Sequence, residues 1–253
     1  WARPLNRLIL ALEGRMFADP NLRRVRVMSR RGAAELTHRY GLAEGRLAVI
    51  PHGVDCARFD LRRREAARSA VRSRHGLGGS EPVAVLVGSN FELKGLGFAL
   101  RAMAALKAAG GVPPRLLVLG KGSAARHQRL AQGLGLGGRV VFVGLTEQAA
   151  DYLLAADYFL LPSLYETFGL AILEAMAAGL PVVVSATCGA AELVAENESG
   201  FVLDDPADAG LFASRLQALA DPGLRMKLGE RARAVAARWS WERDLAATCR
   251  LLG

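Results

Sequence analysis

The sequence has 253 residues, with 33 Lys plus Arg against 24 Asp plus Glu, 51% hydrophobic residues and 6% aromatic ones. That length and apolar content exclude disorder and collagen-like order, and they suffice for a core without disulfides. The charge is lopsided: residues 1 to 80 hold 17 basic against 7 acidic side chains and the remainder 16 against 17, so the whole excess lies in the first third.

In chain order, the first 50 residues give an Arg-rich, helix-like start, a break at Asp19-Pro20-Asn21, a short apolar run over 25–28, a helix to about 40, and LAVI at 47–50. One or two strands cannot close a core alone, so this segment is expected to be the tail of another domain that begins before Trp1, with Pro51-His52-Gly53 as the linker. From residue 81 onward, β-branched and leucine runs alternate with amphipathic Ala/Leu stretches, which predicts a doubly wound parallel α/β sheet. Strands are expected near 83–88, 115–119, 139–143, 158–161, 181–184 and 201–203, with helices between them. Three further helices are expected over 207–220, 222–238 and 241–251, the last capped by Ser240.

The basic runs Arg23, Arg24, Arg26, Arg30, Arg31 and Arg62, Arg63, Arg64 suit nucleic acid, an anionic lipid surface, a phosphorylated acceptor, or simply solvent. Few aromatics are interleaved for base stacking, which speaks against nucleic acid. Cys56, Cys188 and Cys249 lack C-x-x-C spacing, and His38, His52, His75 and His127 lack metal spacing, so no metal site is expected. Free cysteines fit a reducing compartment. No basic segment precedes an apolar one at the start, and every long apolar stretch is broken before it reaches the length of a membrane span.

The chemistry concentrates in Pro162 to Ser185, PSLYETFGLAILEAMAAGLPVVVS, which begins where the 158–161 strand ends. In open parallel sheets ligands bind outside the carboxyl ends of the strands. A short helix opening at Gly169 would turn the amides of Phe168, Gly169, Leu170 and Ala171 and its positive pole toward the crevice, a setting for phosphate. Glu166 precedes the helix and Glu174 follows eight residues later, so two carboxylates flank one anion-binding helix start. Carboxylates accept from paired hydroxyls, and the arrangement suits a phosphate between two polyols, that is, a nucleotide sugar.

The Glu-x7-Glu pattern within ETFGLAILEAMAAGLPVVVS, with IPHGVDCARF at 50–59 and VGSNFELKG at 87–95, resembles the retaining glycosyltransferase family 4 (group 1) of the GT-B fold. A finer likeness, carried by LEGRMFADPNLRRVRVMSRRG, LGKGSAARHQRLAQGLGL and TCGAAELVAENESG, is to lipopolysaccharide-core glucosyltransferases acting on heptose. The resemblance implies that residues 1–50 end an acceptor-binding domain, 51–236 bind the donor, and 237–253 form a helix returning to the first domain. It implies that Glu174 accepts the ribose hydroxyls, and that Glu166 with the amides of Thr167, Phe168 and Gly169 holds the donor sugar. The amides of Leu170 and Ala171 take the diphosphate, and Lys94 offsets leaving-group charge. Gly88, Ser89 and Gly120 belong to the same donor set, and the loop of Gly144, Leu145 and Thr146 edges the base, with uracil expected.

Family members often carry an arginine after the Val-Gly or beside the lysine. This chain has Ser89 and Leu93 there, leaving Lys94 as the expected side-chain cation on the diphosphate. The resemblance implies no cofactor and no metal, a glycan or glycolipid acceptor, no nucleic-acid partner, and a cytoplasmic location with peripheral contact to the inner membrane through the basic first third. Gly120-x-Gly122 lacks the third glycine of a dinucleotide fingerprint, which disfavours NAD. The rival readings are a GT-B sugar-nucleotide epimerase, a nucleotide-sugar binding module without transferase activity, and a nucleic-acid binder.

Overall fold

The computed structural model describes residues 4–78 and 81–252. The chain opens with α1 (Pro4–Phe17), β1 (Val25–Val27), α2 (Arg30–Tyr40) and β2 (Leu47–Val49). β1 and β2 pair in parallel, Val25 opposite Leu47, as a two-stranded sheet of their own. α2 is closed at both ends: the Ser29 hydroxyl accepts from the Gly32 amide and Gly41 turns left-handed after the last turn. Leu8, Ile9, Leu12 and Met16 of α1 stay exposed.

The second unit runs α3 (Arg64–Arg74), β3 (Val83–Val87), α4 (Leu96–Ala108), β4 (Arg115–Leu119), α5 (Ala124–Gly133), β5 (Val140–Gly144), α6 (Ala149–Ala155), β6 (Tyr158–Leu161), α7 (Leu170–Ala177), β7 (Val182–Ser185), β8 (Gly200–Leu203), α8 (Ala209–Ala218), α9 (Pro222–Ala236) and α10 (Trp241–Leu252). The six strands pair in parallel in the order β5-β4-β3-β6-β7-β8. Chain progression reverses at the β3/β6 pair: β4 and β5 are laid on one side and β6, β7 and β8 on the other. The loops after β3 and β6 therefore lead to helices on opposite faces of the sheet and border a crevice.

Alternate residues of each strand face opposite sides, and both sides are covered. Val83, Val85, Phe159, Leu161, Val182 and Val184 pack with α7, while Ala84, Leu86, Leu116, Tyr158, Leu160 and Val183 pack with α4 and α8. Burial on both faces is why the strands read as unbroken apolar runs rather than alternating ones.

The expected doubly wound sheet is present, with strands 115–119 and 158–161 at their expected bounds and the other four within one residue. The helix expected over 207–220 is shorter because Asp208 caps it, accepting from the Leu211 amide at 2.8 Å. The second arginine run is not a free anionic-surface patch. Arg62 bonds Asp60, Arg63 bonds Asp151 and Arg64 turns inward to the carbonyls of Ala178 and Gly179. Further along α3, Arg68 and Arg72 grip the Asp157 carboxylate at 2.9 and 3.0 Å. Among the described residues no helix is long and apolar enough to cross a membrane.

Helix α10 runs back to the first unit. Asp244 accepts from Arg26 of β1 at 2.5 Å and from the Gly53 amide at 3.2 Å. Arg30 and Arg31, at the amino end of α2, donate their amides to the Glu192 carboxylate at 3.0 and 2.7 Å, which ties that helix to the segment after β7.

Candidate functional site

The crevice is built from two loops in contact. A Cβ on Gly95 would lie 1.8 Å from the Pro162 carbonyl oxygen, so only glycine lets the end of the β3 loop pass the β6 loop this closely. Leu164 donates its amide to Leu93 across the same junction at 2.9 Å. This puts the start of α4 at Leu96, with Gly95 left-handed before it and Lys94 in the turn above. The Lys94 ammonium reaches across to the Glu166 carboxylate, and both side chains are largely buried, 16% and 19% exposed.

Glu166 is fixed by the segment after β7. It donates its amide to Thr187 at 3.3 Å and accepts from the Gly189 amide at 3.0 Å. Below it, Ser185 and Thr187 both donate their hydroxyls to the Ser163 carbonyl, at 2.6 and 2.5 Å. The first helical residue of α7 is Leu170; Gly169 is its left-handed cap, φ 91°. Among the described residues the amides of Leu170 and Ala171 donate to no backbone carbonyl outside the helix, as befits a first turn. Val87, Gly88, Ser89, Lys94, Leu161, Glu166, Gly169, Leu170 and Ala171 line one cavity of about 230 Å3.

Glu174 lies outside that lining. It is half-buried on the flank of α7, its nearer oxygen 4.0 Å from Arg58, and burial pushes its carboxyl above the ordinary range while Arg58 pulls it back. Phe168 is buried, 3% exposed, edge-on to the His52 ring at 5.3 Å, and its carbonyl accepts from Ala190. Thr167 is exposed on the same tip. Gly120 does not line the cavity: its amide donates to Gly144, and a Cβ there would stand 2.1 Å from the Gly88 carbonyl oxygen. It thus sets the spacing between the β3 and β4 loops. Beyond it, Leu145 is exposed and the Thr146 hydroxyl accepts from the Gln148 amide. Among the described residues no cluster of three His, Cys, Asp or Glu side chains is placed to hold a metal ion.

Three participants escaped the sequence reading. Arg58 sits inside IPHGVDCARF, but nothing in a one-dimensional pattern aims it at Glu174. His52, read as linker, packs on the tip of the β6 loop with its Nδ1 3.6 Å from Asp244. The Ser163, Ser185 and Thr187 cluster lay within the quoted stretch or just past it, and its signal was three hydroxyls at two adjacent strand ends.

Residues 67–235 match the family model described as glycosyl transferases group 1, and the chain belongs to that family. It is similar to D-inositol 3-phosphate glycosyltransferase 2 of Catenulispora acidiphila, 36% identical over 230 residues, covering 85% of this chain and 52% of that one. It is also similar to the lipopolysaccharide glucosyltransferase WaaG of Escherichia coli, 28% identical over 224 residues and covering 88% and 60%. A crystal structure of a WaaG superposes with a TM-score of 0.78 over 88% of this chain and 61% of its own, and shares the GT-B architecture. A structure of Anabaena HepE in complex with UDP-glucose matches at a TM-score of 0.79 and 20% identity, over 90% and 63%, a likeness of fold. The chain spans about half the length of the curated relatives it matches.

Proposed function

We propose that the chain is the donor-binding part of a retaining hexosyltransferase that takes its sugar from a UDP-glucose-like donor. One observation carries the reading: at the sheet's switch point a single cavity gathers the open amides of Leu170 and Ala171 with the Lys94 ammonium and the Glu166 carboxylate. A diphosphate on those amides would meet the positive pole of α7 and Lys94 together. Glu166, released from Lys94 as the donor enters, would accept sugar hydroxyls together with the tip amides of Thr167, Phe168 and Gly169. Glu174 would take the ribose hydroxyls, and the Leu145–Thr146 loop would edge the base. Similarity to a relative named as a glucosyltransferase, and in fold to a protein whose structure holds UDP-glucose, supports this choice of donor.

In the transfer step the acceptor oxygen bonds the anomeric carbon on the face the diphosphate leaves. The carbon–oxygen bond to the diphosphate breaks, and the acceptor proton passes to the departing phosphate oxygen. Lys94 and the α7 amides hold the charge that grows there, a stabilisation concentrated in the transition state. Residues 1–50 would close the acceptor side, with residues 51–236 holding the donor and 237–253 packing back against the first unit. Arg23, Arg24 and Arg26 line a cavity of about 630 Å3 there, suited to a phosphorylated acceptor or an anionic membrane face. A lipopolysaccharide-core glycan at the cytoplasmic face of the inner membrane is the preferred acceptor. A phosphorylated inositol is the second reading, favoured by the 36% identity to an inositol 3-phosphate enzyme.

Calorimetry with UDP-, GDP- and ADP-glucose tests the donor assignment. UDP-glucose is expected to bind with a dissociation constant of about 1 μM to 1 mM and to exceed the other two. No binding by any of the three would overturn it.

A further inference from the structure

We propose that Arg64 and Arg233 are positioning residues for the donor diphosphate: at the far end of α7 their charges offset the helix's negative pole, so that its amino end meets the diphosphate at full positive potential. The inference rests on the donor site proposed above. α7 has eight residues and is therefore only about 12 Å long, so charge at its last turn lies within Coulomb reach of a ligand at its first. Its own sequence supplies no basic side chain in the last turn.

Two other elements supply what it lacks. Arg233 of α9 donates to the Ala177 carbonyl and, at 2.9 Å, to that of Phe59; Arg64 of α3 donates to the Ala178 carbonyl and lies 3.5 Å from that of Gly179. Both guanidinium groups line a cavity of about 360 Å3 with Arg68, Arg225, Asp157 and Glu230. Asp157 is already held by Arg68 and Arg72, and neither Arg64 nor Arg233 makes an ion pair among the described residues. Their direct contacts are thus with the helix end, and Asp157 acts on Arg64 and Asp60 on Arg233 only from beyond ion-pair distance. Pure capping would need only a donor; a charge is what the ligand at the other end can sense.

The test separates the two roles. R64Q and R233Q remove the charge and shorten the reach to the carbonyl, and R64K and R233K keep the charge on a single donor. UDP and uridine are titrated against each by calorimetry or NMR, with thermal unfolding as the folding control. UDP should bind about three- to tenfold more weakly with uridine unchanged, and R64K and R233K should restore UDP to within about twofold. Equal weakening of UDP and uridine, or no change in either, would overturn the proposal. Should R233Q fail to fold, R64Q carries the test, since Arg64 makes no contact to Phe59. If the unaltered protein binds UDP no better than uridine, the donor site itself falls, a result separate from any arginine effect.

Discussion

The two rims of the six-stranded sheet solve the same problem in opposite ways. At the amino rim, helix carbonyls are closed by guanidinium groups: Arg68 on Ala155, Arg64 and Arg233 on the end of α7, and Arg225 on Leu219 and Ala220. At the carboxyl rim the first-turn amides of α7 face a cavity holding one ammonium and one carboxylate. Saturating one end fixes the scaffold; leaving the other open creates the place for a ligand. The difference teaches that burial alone does not mark the functional rim, since charged groups are buried at both. What marks it is unfilled hydrogen-bonding capacity.

Four substitutions break or sharpen this contrast. The largest effect belongs to the closed rim. Asp157→Ala removes the carboxylate shared by Arg68, Arg72 and the Val83 amide. It should cost about 3–5 kcal/mol in denaturant unfolding, because breaking a buried pair strands its partners. A loss no larger than an exposed ion pair gives, about 1 kcal/mol, would show that the closed rim does not depend on it. Next, Lys94→Ala should lower turnover by about 10²-fold with a smaller loss in donor affinity. Steady-state kinetics beside binding decides this, and equal losses in both would deny the role.

Gly169→Ala is smaller. The added Cβ would lie 3.0 Å from Glu166 Cγ at a φ of 91°, so a loss of about 1–2 kcal/mol is expected together with weaker UDP binding. Unchanged stability would show that the loop relaxes. Glu174→Gln is the smallest and has the opposite sign. Burial raises the folded carboxyl above the ordinary glutamate range, so between the ordinary and the raised value the folded state holds more protons than the unfolded chain. Stability conferred by this group is therefore lost as pH rises through that window. The glutamine variant should be slightly more stable at neutral pH and should discriminate less between UDP and its 2′,3′-dideoxy analogue. Lower stability of the variant at pH 7 would contradict the sign.

The fold was legible because strands buried on both faces spell themselves as apolar runs; helix ends were less so, since Asp208 delays α8 to Ala209 and Gly169 precedes α7 instead of opening it. Of the cavity lining, Gly88, Ser89, Lys94, Glu166, Gly169, Leu170 and Ala171 were legible because both segments follow strands that meet at the switch point, whereas Thr167 and Phe168 lie outside the lining. What escaped depended on distance in sequence. Arg58 reaches Glu174 across more than a hundred residues, and Arg64 looks like part of a surface run until α7 is docked against it. The Lys94–Glu166 ion pair is not legible in the sequence either, because each residue's own motif points separately to a ligand. Gly120 drew attention as part of a nucleotide fingerprint, and its glycine requirement comes from the neighbouring Gly88 carbonyl.

The most direct measurement is an amide-resolved NMR titration of the chain with UDP-glucose. The largest shifts are expected at Gly169, Leu170 and Ala171, with the Lys94 side chain responding at the same ligand concentration. Shifts confined to the arginine-closed rim around Arg64, Arg225 and Gly229, with the α7 tip silent, would contradict it.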